Sequence, residues 1–177
     1  MKNKGFTLIE LLVVVVATGI LMAIAGVAFS GAIARGRIKG AASSISREMQ
    51  NARERAISRG HPVDVVFSAN PQGRLVMTIN NIDTAATSIV LPTFTDCLLA
   101  VGAGVNQRAP ETGAGAPVSA ADFPIANTCR FLSQGTGSVG AIYITGTNNR
   151  AAFAIAVNAN GRISVWEWGA NTWNKSN

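Results

Sequence analysis

Only 14% of the 177 residues are charged, against roughly a quarter in an ordinary globular domain. With 48% hydrophobic residues beside that, intrinsic disorder is excluded, because disorder needs little apolar surface and much charge. There is one histidine, His61, and there are two cysteines, Cys97 and Cys129. These three cannot by themselves supply a tetrahedral Cys/His zinc site. A serine–histidine–aspartate mechanism would have to run through His61 alone. The sequence thus argues against an enzyme, and no cofactor is expected.

The basic excess is confined. Lys plus Arg is 15 and Asp plus Glu is 9, a net charge of +6. From Arg35 to Arg59 there are seven basic residues and two acids, Glu48 and Glu54. From residue 60 onward six basic residues balance six acids. A nucleic-acid footprint on that C-terminal part would have to be local.

Between Glu10 and Arg35 lie 24 residues without a charge. As a helix they span roughly 36 Å, enough to cross a hydrocarbon core of about 30 Å. Lys2 and Lys4 form a basic leader, and the positive-inside rule keeps it in the cytoplasm, although Arg35, Arg37 and Lys39 flank the other end. A secretory signal is one reading, with Ala23-Ile24-Ala25 as its cleavage site. Glu10 inside the apolar region and the smooth continuation through Phe29 oppose it.

The run Lys4-Gly5-Phe6-Thr7-Leu8-Ile9-Glu10-Leu11-Leu12 resembles the class III signal of type IV pilins and type II secretion pseudopilins. That resemblance implies cleavage by a prepilin peptidase between Gly5 and Phe6, with Phe6 then N-methylated. It gives Glu10 an assembly role, meeting the N-terminal amine of a neighbouring subunit. Val27 stands where many major pilins carry a proline. The implied partners are other pilins or pseudopilins, the prepilin peptidase and inner-membrane lipid.

Past the apolar run, Ile38, Ala41, Ala42, Ile45, Met49, Ala52 and Ala56 recur at three- and four-residue steps. This is an amphipathic half-helix ending near Ser58–Gly60, with Gly60 as its C′ residue and Pro62 beyond. From Phe6 to Ser58 such a helix is roughly 80 Å long. After Gly60 the period falls to two, and turn residues separate the runs. Strands are expected at 61–67, 74–80, 87–91, 129–132, 141–145, 150–158 and 162–168. Asn70-Pro71-Gln72-Gly73 and Asn160-Gly161 read as turns, and 102–121 as a long Gly/Ala/Pro-rich loop.

The segment from Arg47 through Asn51-Ala52-Arg53-Glu54-Arg55 to Val63 resembles the helix-to-strand junction of GspH/FimT-type minor pilins. So does the late run Arg150 to Val157 with Asn160-Gly161-Arg162-Ile163. The expected fold is α+β: a long N-terminal transmembrane and amphipathic helix on a C-terminal antiparallel β-sheet head. The expected divisions are a leader, 1–5; the helix, 6–59, membrane-spanning over 6–34 and amphipathic over 35–59; and a periplasmic head, 60–177. The protein is then a single-pass inner-membrane protein, assembled into a pilus or pseudopilus.

The function expected is structural: a minor pilin or pseudopilin that primes or joins the tip of a type IV pilus-like filament. One alternative is a GspH-type pseudopilin of a type II secretion system. Another is a FimT-like DNA-binding competence pilin, with Arg162 and Lys175 as the candidate DNA contacts. Some FimT-type proteins use a Gly-Arg-x-Arg; Gly161-Arg162-Ile163-Ser164 lacks its second arginine, so nucleic acid is the less favoured partner.

Cys97 and Cys129 form an even pair, read in an oxidising periplasm as a disulfide, with two buried thiols as the alternative. Gly135-Thr136-Gly137-Ser138-Val139-Gly140 matches G-x-G-x-x-G, but the strand-like run after it argues for a loop, not a dinucleotide site. Trp166, Trp168 and Trp173 read as a tail folded back on the sheet or as a partner surface.

Overall fold

The computed structural model describes residues 7–71, 75–81, 84–90, 97–146 and 151–176. Two compact units divide the chain, Met1–Ala34 and Arg35–Asn177. The expected leader 1–5, Phe6 and part of the 70–73 turn lie outside the described residues.

Helix α1 runs Leu8–Arg59. It starts where Thr7 supplies an N-cap and stops where Gly60 takes φ +69°, a left-handed value that glycine adopts without a side-chain clash. In the first unit, Leu8, Leu11 and Met22 are 84%, 63% and 75% exposed. Among the described residues no helix is long and apolar enough to cross a membrane, so the span over 6–34 remains an expectation.

In the second unit the helix stripe is buried as its spacing implies. Ile38, Ala41, Ala42, Ile45, Met49, Ala52 and Ala56 all lie in the core. The alanines keep that face narrow, which lets the backbone come close to the sheets. Ten strands follow: β1 (Val63–Ala69), β2 (Leu75–Asn81), β3 (Thr84–Val90), β4 (Cys97–Leu99), β5 (Ala121–Asp122), β6 (Thr128–Phe131), β7 (Gly140–Gly146), β8 (Ala152–Val157), β9 (Ile163–Gly169) and β10 (Thr172–Lys175).

The strands build two antiparallel sheets instead of one. The first has the order β3-β2-β1-β6, and the second β10-β9-β8-β7-β4, with β5 also paired to β7. One core cluster joins the helix stripe to both sheets, through Val65, Phe67, Met77, Ile79 and Phe131 and through Ile142, Ile144, Phe153 and Ile155. Strand β1 shows the period-two burial of a half-covered sheet, whereas β7 and β8 are buried at every position.

A second cluster explains that difference. Ala109, Ala141, Tyr143, Ala154, Ala156 and Trp173 pack together on the outer side of the second sheet. The loop expected over 102–121 covers that side, with β5 at its end. Its small residues let it lie close to the sheet. The Tyr143 hydroxyl accepts the Ala109 N–H at 3.0 Å, and the Trp173 indole donates to the Gln107 carbonyl at 2.9 Å. Strands β4 and β10 were not expected. Both are short, and Cys97-Leu98-Leu99 carries no alternation to mark it as a strand.

Candidate functional site

The helix start is the first place where sequence and chemistry meet. Glu10 donates its N–H to Thr7 Oγ1, and the Thr7 hydroxyl donates to Glu10 Oε2, both at 3.4 Å. This is capping-box spacing, with the Glu10 carboxylate meeting the Thr7 hydroxyl and the Thr7 oxygen satisfying one open N–H of the first turn. Glu10 also sits in the first turn, where a carboxylate complements the helix dipole. The sequence reading singled out Glu10 and missed Thr7, although the Thr-x-x-Glu spacing was there to find it. Gly5 and Phe6 lie outside the described residues. Further along, the Thr18 hydroxyl donates to the Val14 and Val15 carbonyls, both at 2.9 Å, so this polar group in the apolar run is satisfied within the helix.

The second place is the distal end of the helix. Arg53 donates from Nε to the Gly135 carbonyl at 2.7 Å and from Nη2 to the Asn160 carbonyl at 3.2 Å. One guanidinium thereby ties the helix to two turns, those before β7 and before β9. Gly161 is the tightest point. Its φ is +70°, and a Cβ there would meet the Gly135 oxygen at 2.1 Å. The two segments recognised in the sequence, around 51–63 and 150–163, are thus brought together by Arg53. The glycine run at 135–140 supplies one turn and the start of β7, not a phosphate cradle.

Arg162 is exposed, and its N–H donates to Asn158 Oδ1 at 2.9 Å. With Gln50, Arg53, Glu54, Gly161 and Ile163 it lines a shallow cleft of about 280 Å³. Lys175 is exposed on β10 opposite Trp166. At about 3.3 Å per residue it lies roughly 13 Å along the sheet from Arg162, so the two candidate DNA contacts are not brought together. Trp173 packs edge-on against Trp168, with ring centroids 5.0 Å apart, and also against Tyr143. The tail is therefore folded back on the sheet.

The expected Cys97–Cys129 disulfide is not formed in this structure. Both thiols are free and buried, on β4 and β6, which belong to different sheets. Each fills an apolar core position as a small hydrophobe. Burial pushes the Cys97 thiol up to about 11. Cys129 is pushed higher still, by burial first and by Asp64 second.

Three carboxylates of the head are each held by an arginine of the same chain. Arg130 Nε and Nη2 grip Asp64 at 2.6 and 2.7 Å, Arg108 pairs with Asp122 at 2.9 Å, and Arg35 with Glu167 at 2.5 Å. His61 is exposed just beyond the helix. Among the described residues no group of three or more His, Cys, Asp or Glu could hold a metal ion.

Residues 1–26 match the prokaryotic N-terminal methylation motif. Residues 41–161 match the family of type II transport protein GspH. A comparison with curated proteins finds no match. Two structures of the minor pseudopilin EpsH, from the type II secretion system of Vibrio cholerae, are similar. One is 16% identical over 72% of this chain and 94% of that one, with a TM-score of 0.45. The other is 15% identical over 74% and 94%, with a TM-score of 0.47. The match over 41–161 takes in most of the chain and both turns that Arg53 ties, and by it the chain belongs to the type II transport protein GspH family.

Proposed function

We propose that this chain is a minor pseudopilin of a type II secretion system. A prepilin peptidase removes residues 1–5 and Phe6 is N-methylated. The apolar helix over 6–34 then holds the protein in the inner membrane with its head in the periplasm. In the assembled pseudopilus the same helix packs among the helices of other pseudopilins, and Glu10 meets a neighbour's N-terminal amine. The work of the chain is structural.

The observation that carries this reading is the uncovered apolar helix of the first unit. Leu8, Leu11, Leu12, Val15, Leu21 and Phe29 are each more than half exposed. A bare surface of that kind is unfavourable in water and is accommodated in lipid or between subunits. The methylation-motif match over 1–26 and the family match over 41–161 support the same reading from the two ends of the chain.

The test is an in-frame deletion complemented in trans. Secretion of the type II substrates should fail without the gene, return with the wild-type chain, and stay lost with Glu10→Ala although the head still folds. Loss of piliation with intact secretion would assign the chain to a type IV pilus instead. Loss of DNA uptake alone would assign it to the competence machinery.

A further inference from the structure

The chain has one Asn-Gly step, Asn160-Gly161, and it lies in the turn between β8 and β9. An asparagine before glycine is prone to lose its side-chain amide, because the glycine has no Cβ to shield its nitrogen. That nitrogen gives its proton to hydroxide and attacks the asparagine Cγ. An N–Cγ bond forms and the Cγ–Nδ2 bond breaks. Ammonia leaves with a proton taken from water, which restores the hydroxide. Water then opens the cyclic imide at either carbonyl, giving aspartate or isoaspartate.

The fold sets a barrier to this attack. The Gly161 N–H donates to the Asn158 carbonyl at 2.9 Å, and neither Ala159 nor Asn160 has a positive φ, so 158–161 is a type I turn. The third residue of such a turn has ψ near zero, which holds the next nitrogen away from its side chain. The Asn160–Gly161 peptide group must therefore swing by roughly a third of a revolution before Gly161 N can reach Cγ. It is held at both ends. Asn158 takes its N–H, and Arg53 Nη2 donates to its carbonyl at 3.2 Å. Arg53 is itself anchored through Nε on the Gly135 carbonyl at 2.7 Å. The swing breaks both holds on the group. Asn160 is exposed, so exclusion of water is not what protects it.

We propose that Asn160 is a deamidation site, closed in the folded head by Arg53 and open whenever the helix end leaves the turn. Isoaspartate at 160 adds a methylene to the backbone beside Gly161, the glycine that fits against Gly135. The closed turn then cannot re-form. Time spent unfolded is thereby written into the chain as a junction that no longer closes, whatever machine the protein serves.

The experiment uses the full chain in detergent and mildly alkaline buffer. Peptide mass spectrometry and isoaspartate-specific methyltransferase labelling follow residue 160 with time. Wild type unfolded in denaturant gives the open rate, and folded wild type should convert far more slowly. Arg53→Met keeps the aliphatic stem and the helix propensity but donates to neither carbonyl. Folded Arg53→Met should convert at least about tenfold faster than folded wild type, the change in open population expected when a charged hydrogen-bond donor is lost. Met49→Ala, which weakens the core and leaves both holds in place, should convert more slowly than Arg53→Met. Three results each overturn the proposal: folded wild type converting as fast as unfolded, Arg53→Met converting no faster than wild type, or Met49→Ala matching Arg53→Met. If Arg53→Met does not fold, a denaturant series on wild type decides. Conversion that tracks the unfolded fraction supports the closed site, and conversion that ignores it overturns it.

Discussion

Tyr143 is buried on the outer side of the second sheet, and its hydroxyl is the partner of a buried N–H at Ala109. In Tyr143→Phe that N–H loses its acceptor, at a cost of about 1–3 kcal/mol. Since ~1 kcal/mol moves a domain of this size by about 2–8 °C, the melting temperature should fall measurably. Amide exchange should quicken in the covering loop, over 105–115, before it does in β8. Tyr143, Cys97 and Cys129 also set the alkaline limit. Burial is the first cause that raises all three groups, so the folded chain holds these protons more tightly than the unfolded one. Their contribution is whole below the ordinary thiol value of about 9 and shrinks as pH climbs through about 11. Melting temperature should therefore be flat from pH 7 to 8.5 and fall above it, and the fall should be shallower in Cys97→Ala/Cys129→Ala. Unreduced protein, unfolded in denaturant, should alkylate at both cysteines. Failure to label either would restore the disulfide that this structure lacks.

At the scale of elements, the helix and its two turns act together. Gly161→Ala places a Cβ against a backbone oxygen in a left-handed conformation, so it should cost more than about 2 kcal/mol. Met49→Ala, in the middle of the buried stripe, should cost about 2–5 kcal/mol. Arg47→Ala, on the opposite side, should stay within about 0.5 kcal/mol. Chemical denaturation of the detergent-extracted chain ranks the three, and equal effects at 47 and 49 would overturn the assignment of helix faces. The stripe was legible because the run of three- and four-residue steps from Ile38 through Ala56 is a helix period and nothing else. The Asn160-Gly161 turn was legible because its residue types favour left-handed backbone. What the sequence did not reveal were contacts between distant segments. Arg53 reads as one more charge on a polar face until Gly135, 82 residues away, supplies its acceptor. Cys97 and Cys129 read as a pair because only their number is visible, not the strands that carry them. Nor does a period of two tell one sheet from two. That β7 and β8 are covered on both sides depends on a loop whose small residues carry no periodic signal.

At the scale of the molecule, a neutral head and a basic half-helix follow an apolar segment that its own chain leaves exposed. The proposed pseudopilin is a processed filament subunit, and its processing site lies between Gly5 and Phe6. The direct test is the intact mass of the protein extracted from membranes of its native host. A single species that has lost residues 1–5 and carries one methyl group on Phe6 is expected, and Gly5 replaced by a bulky residue should leave the precursor uncut. Cleavage after Ala25, or an uncut wild-type chain, would contradict this processing.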